Sequence, residues 1–341
     1  VTRVAEHLNR ALHDLLAADP DVHVLGEDIA DPYGGAFKIT RGLSDRFGER
    51  VRSTPLSEGA IVGVGAGLAL AGEKAIVEIM FADFAALAFD QLVNFAAKST
   101  TMYGRPVPIP LVVRCPSGGG RGYGPTHSQS PQKHFLGVPG LHLFELTPFH
   151  DAGALLTAMF ALGQPCLLFE DKVLYTRRMY TGGVVDDLFR YELVGGTDGA
   201  DDAAGAAGGT ARIFVEGGGE PDCTLVVPGG MVHRALAAAR ELLLEEDLLC
   251  ELLVPARLYP LPELPGLERA RHVCVAEDGS EGGTWGTEVA RVLYPRLWPA
   301  LRRPITLLSA AASVIPAAPH LEREVLLQPD HIKRAITEAL S

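Results

Sequence analysis

The chain has 341 residues, 47% of them apolar and 21% charged, and a formal net charge of −12. That length allows two ordinary domains, each with its own core, and the composition is globular rather than disordered. The excess of acid weighs against a general nucleic-acid or anionic-membrane surface, which would repel it, and suits a basic protein partner. Five scattered cysteines (Cys115, Cys166, Cys223, Cys250 and Cys274) form no CxxC pair. Most lie in apolar runs, so they read as buried reduced thiols of a cytoplasmic chain, not as a disulfide or zinc framework. No apolar run reaches membrane-spanning length, and the N-terminus lacks the basic-then-apolar order of a secretion signal. The missing initiator methionine points to processing or trimming.

In chain order, Ala5 to Ala18 carries helical spacing of apolar residues, and Val22 to Gly26 is a short strand ending in glycine. Thr54-Pro55-Leu56-Ser57-Glu58-Gly59 follows a turn and opens a helix of small residues from Gly59 to Gly72. Gly59, Gly63 and Gly67 share one face of that helix. Each glycine weakens a helix by about 1 kcal/mol relative to alanine, so this stripe indicates close approach by another backbone or a ligand. Ala75 to Met80 reads as a strand. Phe84 to Lys98 reads as a mostly apolar helix with Asp90, Asn94 and Lys98 on one polar line. Ile109 to Cys115 and Cys166 to Glu170 are buried strands. After the first comes a glycine-rich loop, Ser117 to Gly124, leading into Thr126-His127-Ser128-Gln129.

Composition changes at Gly195 to Gly209, a stretch of glycine, alanine and aspartate with almost nothing to bury, as in a flexible acidic linker. Beyond it, Thr224 to Val227, Leu249 to Val254 and His272 to Ala276 read as strands. Met231 to Glu246 and about Trp285 to Leu293 read as helices. Repeated βα units with short apolar strands imply mostly parallel sheets covered by helices on both faces. The expected fold is α/β, with two three-layer αβα domains at residues 1–194 and 223–341 and a linker at 195–222.

Three places can carry chemistry. Glu58 opens a helix, where a carboxylate complements the dipole by about 0.3–1 kcal/mol; a chemical role needs something packed against that mouth. Phe81-Ala82-Asp83-Phe84 lies at a strand-to-helix turn, where parallel α/β sheets bind ligands, although its rings also suit a core. His127, after a glycine loop, is better placed than the other histidines to act as an acid or hydrogen-bond donor. Other chemistries lack their residues. Asp278-Gly279-Ser280-Glu281-Gly282 misses the first glycine of a nucleophile elbow, and Gly118-Gly119-Gly120-Arg121-Gly122 lacks the Lys-Ser/Thr ending of a phosphate loop. No HExxH or paired-histidine metal spacing occurs, so no metal ligands are assigned to this chain. The glycine loop is expected to be mobile.

Taken in order, several segments resemble the β subunit of thiamine-diphosphate-dependent 2-oxoacid dehydrogenase E1 components. They are Gly34-Gly35-Ala36-Phe37, Thr54 to Glu58, Phe81 to Phe84, Phe89-Asp90-Gln91, His127-Ser128-Gln129-Ser130-Pro131 and Pro139-Gly140. Glu277-Asp278 before Gly282-Gly283, and Pro316 to Glu324, extend the likeness into the second domain. The resemblance implies a pyrimidine-binding domain followed by a transketolase C-terminal-like domain. It makes Glu58 the carboxylate that hydrogen-bonds N1′ of the cofactor's aminopyrimidine and so helps a proton leave C2 of the thiazolium. It makes Phe84 the ring packed on the pyrimidine, with Met80 nearby, and His127 the histidine that reaches the substrate. The family holds the diphosphate and Mg²⁺ through Gly-Asp-Gly and a later asparagine, yet Asn9 and Asn94 are the only asparagines here. An E1 α subunit in an α2β2 heterotetramer is therefore expected to supply that half.

The activity so implied is oxidative decarboxylation of a 2-oxoacid, with acyl transfer to a lipoyl-E2 acyltransferase. A branched-chain acid is favoured over pyruvate, because Leu87 replaces the glutamine of pyruvate-type members and the FADF, AFDQ and HSQSP stretches lean to the branched-chain type. Val138 stands where many relatives have histidine, and Ser313 where aspartate is usual, which also leaves room for a biosynthetic decarboxylase or acyloin-forming enzyme without lipoamide. A non-catalytic partner of the same fold is the third reading, against which Glu58, Phe84 and His127 stand together.

Overall fold

The computed structural model describes residues 2–195, 209–267 and 271–341. Its strands in chain order are β1 (Val22–Gly26), β2 (Val51–Ser53), β3 (Lys74–Glu78), β4 (Leu111–Ser117), β5 (His142–Glu145), β6 (Cys166–Asp171), β7 (Phe189–Val194), β8 (Thr210–Val215), β9 (Cys223–Val226), β10 (Cys250–Pro255), β11 (Arg257–Tyr259), β12 (His272–Ser280) and β13 (Thr306–Ala310). The first sheet runs β11-β5-β6-β4-β3-β1-β2 and the second β13-β12-β9-β10-β8-β7. The first is parallel except for β11, which lies antiparallel on β5. In the second, β7 and β8 form the antiparallel edge of a parallel set.

The apolar strands explain the layers. Every residue of β4 and β6 is buried, as expected of strands covered on both faces. Side chains alternate between faces, so Val112 and Leu168 pack with the helices Val4–Ala18 and Ala152–Ala161, while Val113 and Phe169 join the opposite core. That opposite core continues through Trp285, Val289 and Leu293 into Val273 and Val275 of the second sheet. The two units therefore share one hydrophobic core. The far face of the second sheet packs on the helices Val232–Glu246 and Pro329–Leu340. All five cysteines are buried and unpaired.

Polar groups fasten the seam as well. Lys133 Nζ donates to the carbonyl (2.8 Å) and hydroxyl (2.9 Å) of Ser280 and to the carbonyl of Gly282 (3.0 Å). Within the second unit, Arg234 grips Asp278 with two bonds of 2.9 and 2.6 Å and also donates to the Leu327 carbonyl. Glu145 accepts from Gly230 N–H and Gln132, and burial pushes its carboxyl up to about 8.

The division into domains departs from the expectation of 1–194, 195–222 and 223–341. β7 falls in the expected first domain and β8 in the expected linker, yet both belong to the second sheet. Val194 pairs with Thr210, so the glycine-rich stretch connects two adjacent strands; residues 196–208 of it lie outside the described residues. β11 crosses the other way, from the second half of the chain to the edge of the first sheet. Edge strands with one wet face carry too few apolar residues to stand out beside a change in composition.

Candidate active site

The helix Glu58–Leu70 starts at Glu58 itself, and Ser57 caps it without a side-chain bond. The carboxylate is 8% exposed and makes no hydrogen bond among the described residues. Beside it, Glu27 Oε1 and Thr54 Oγ1 are buried without partners. Burial first, then the negative charges of Glu58, Asp28 and Glu78, raise the Glu27 carboxyl to about 7. Unsatisfied buried polar atoms are uncommon, and a cluster of them marks a place where a ligand or partner belongs.

The glycine stripe has a structural explanation. A Cβ at Gly59 would stand 3.2 Å from the Leu87 carbonyl oxygen, and one at Gly63 would stand 3.1 Å from Gln91 Oε1. The small residues thus let the segment after β3 press onto the mouth of the Glu58 helix, while Gly67 faces open space. That segment, expected as one α-helix from Phe84 to Lys98, instead opens as a 3-10 helix at Ala82–Ala88 and widens to a π-helix at Gln91–Ala96. π turns recur at functional sites. The polar line holds: Asn94 donates to Asp90 (2.8 Å) and Lys98 to Asn94 (2.6 Å).

Five rings gather at the C-terminal end of the first sheet. Phe81 meets Phe37, Phe84, Tyr123 and His127 edge to face, with His127 nearest at 4.6 Å between centroids. His127 also stands edge to face with Phe84 at 5.2 Å. Met80, two residues past β3, is half-buried. Phe84 and His127 are thereby brought together, and the Phe84 segment packs on the helix that begins with Glu58.

The glycine-rich loop is tied down rather than free. Gly118 N–H donates to the Gln129 carbonyl, and Gly120 and Gly122 N–H both donate to the Glu322 carboxylate (2.8 and 3.1 Å). Gly118 takes a left-handed φ of 83° and leaves no room for a side chain against Asp171. At the other end, Asp83 Oδ1 accepts from the backbone (3.2 Å) and side chain (2.9 Å) of Gln129. His127 therefore sits on a loop pinned on both sides, with Thr126 Oγ1 2.9 Å from its Nδ1. Asp83 Oδ2 and Ser128 Oγ remain buried and unpartnered.

Sequence reasoning missed Lys172, just past β6. It is wholly buried, its Nζ has no hydrogen-bond partner, and it lies 5.6 Å from the Phe81 ring centroid. Burial pulls it down to about 8, against the opposing pull of Asp171 and Asp83. Missed too was the ion cluster below: Arg114 donates twice to Glu170 (2.7 and 2.8 Å) and once to Glu78 (2.5 Å), and Tyr175 donates to Glu170 (2.6 Å). Among the residues that set the chain apart, Leu87 is 65% exposed, Val138 packs on the core, and Ser313 is exposed.

The chain is similar to known proteins along most of its length. Residues 2–178 match the transketolase pyrimidine-binding domain and residues 210–332 the transketolase C-terminal domain. The 2-oxoisovalerate dehydrogenase subunit beta of Bacillus subtilis (strain 168) is 35% identical over 97% of this chain and 96% of its own length. The mitochondrial pyruvate dehydrogenase E1 component subunit beta-1 of Oryza sativa subsp. japonica is 32% identical over 98% of this chain and 86% of its own. Among solved structures, the inactive β4 tetramer of a split-gene transketolase superposes with a TM-score of 0.71 at 19% identity, covering 100% of this chain and 99% of that one; this speaks for the fold alone. The chain belongs to the E1 β-subunit family of thiamine-diphosphate-dependent 2-oxoacid dehydrogenases, built on the transketolase pyrimidine-binding and C-terminal domains.

Proposed function

We propose that this chain works as the β half of an α2β2 E1 enzyme that oxidatively decarboxylates a 2-oxoacid, a branched-chain acid in preference to pyruvate. The acyl group passes to a lipoyl-bearing acyltransferase. The observation that carries the reading is Glu58: a buried carboxylate with no hydrogen-bond partner, at the mouth of a closely packed helix and beside other unsatisfied polar atoms. Those acceptors suit an aminopyrimidine, which offers both N–H donors and a ring nitrogen. When bound, thiamine diphosphate supplies the electron sink that decarboxylation of a 2-oxoacid requires.

The chain's own residues then have distinct tasks. Glu58 holds a proton against the ring nitrogen, in a wall where few waters compete for it. Phe84 and Met80 flank the ring, and His127 is held by its pinned loop to donate to a substrate oxygen. The diphosphate and Mg²⁺ fall to the partner, since neither Asn9 nor Asn94 follows an Asp-Gly in the family's order. Leu56, Val64 and Leu87, exposed on and beside the Glu58 helix, suit a surface that another chain covers.

Calorimetry of thiamine diphosphate with Mg²⁺ tests this reading. Saturable binding to the reconstituted αβ pair, and little to this chain alone, is expected. No binding to the pair, or tight binding to this chain alone, would contradict it. Acylation of a lipoyl domain by the loaded pair separates the dehydrogenase from a decarboxylase that uses another acceptor.

A further inference from the structure

A cavity of about 190 Å³ lies on the seam between the two units. Gly119 and Gly120 of the glycine-rich loop form one wall, and Arg177, His233, Arg234 and Arg323 form much of the rest. Three arginines face a single carboxylate there, Glu322, in a chain whose net charge is −12. Two of these groups already have partners: Arg234 is held by Asp278, and the Glu322 oxygens accept from the Gly120 and Gly122 N–H groups. Arg177 and Arg323 have no carboxylate partner among the described residues. His233 lies in the same wall. Its imidazole is pushed down to about 4, first by burial and then by the charges of Arg177 and Arg234. Its Nε2 is buried without a hydrogen-bond partner.

We propose that this cavity binds a small oxyanion of the phosphate class, held between Arg177 and Arg323. Paired guanidinium groups suit phosphate oxygens, because each presents a planar fork of donors. The space also admits a small organic substituent on the phosphate. Such a ligand lies against the loop that Glu322 fastens and that leads to His127, so its arrival is felt at Gly120 and Gly122. The claim concerns binding and does not rest on the thiamine-dependent reading.

The test is calorimetry and thermal shift of the full chain with inorganic phosphate, glycerol phosphate and succinate, at matched ionic strength. The variants are Arg177→Gln with Arg323→Gln, and Arg302→Gln as an exposed control elsewhere. Saturable phosphate binding with a rise in Tm is expected, weakened about tenfold or more in the double variant and unchanged in the control. Preference for glycerol phosphate identifies an ester, and equal affinity a free phosphate. Absence of binding of both, equal weakening in Arg302→Gln, no weakening in the double variant, or equal binding of succinate would each overturn the proposal.

Discussion

Replacing Lys172 with methionine, which keeps the length and bulk of the side chain, should make the fold more stable at neutral pH. The ammonium is fully buried, has no hydrogen-bond partner among the described residues, and is pulled by burial from its ordinary 10.5 down to about 8. At pH 7 the charged form is present in both the folded and unfolded chain, so the shift measures a cost to the fold of about 3 kcal/mol. Loss of the contact with the Phe81 ring offsets about 0.5–2 kcal/mol of that. A net gain of about 1–3 kcal/mol follows. The pH dependence has a definite sign. Above about 8 the folded amine sheds its proton while the unfolded one keeps it to about 10.5, so wild-type stability recovers across that window and the gap to the variant closes. Urea unfolding of both proteins at pH 7 and pH 10 measures this. A variant less stable than wild type at pH 7, or a gap that widens with pH, would refute the reasoning. A group kept at such a cost against the Phe81 ring, which itself meets His127, points to a role in the site rather than in the fold, so the stabilised variant should turn over more slowly with the α partner.

Arg114→Met should cost about 3–5 kcal/mol, because it leaves the buried Glu78 and Glu170 carboxylates facing each other without their cation. The shift in the urea midpoint checks it, and near-native stability would contradict it. Lys133→Met removes the bonds that one ammonium makes across the seam to the 280–282 turn and should cost about 1.5–3 kcal/mol. Limited proteolysis should then cut the 280–283 turn faster, while the far-ultraviolet dichroism stays unchanged.

Much of the site was legible because its signals are local. A carboxylate at a helix start, a phenylalanine pair at a strand-to-helix turn and a histidine after a glycine loop can each be read from a few consecutive residues. The structure brings Phe84 and His127 into ring contact and packs the Phe84 segment on the helix that begins with Glu58. What stayed hidden depends on burial of charge. Phe169-Glu170-Asp171-Lys172 looks like a strand running out into a wet turn, yet all four residues are buried, and their partners Arg114 and Asp83 come from distant strands and turns. The glycine loop read as mobile because Glu322, which fastens it, lies some 200 residues away. The 3-10 and π geometry after β3 left no trace in the apolar spacing, since both keep one apolar face toward the core. β11 was missed because its pairing across the seam is not a property of the segment itself, and β7 and β8 were misplaced because their pairing at the edge of the second sheet is not one either.

Glu58→Gln tests the central claim most directly, since it keeps the size of the side chain and removes only its capacity to carry charge and hold a proton. The measurement is release of labelled carbon dioxide from a 2-oxoacid by the αβ pair, alongside its assembly and cofactor binding. The account predicts that the pair assembles and that release falls by at least about a hundredfold, the scale of a lost acid–base group. Release close to wild type from a properly assembled Glu58→Gln pair would contradict it.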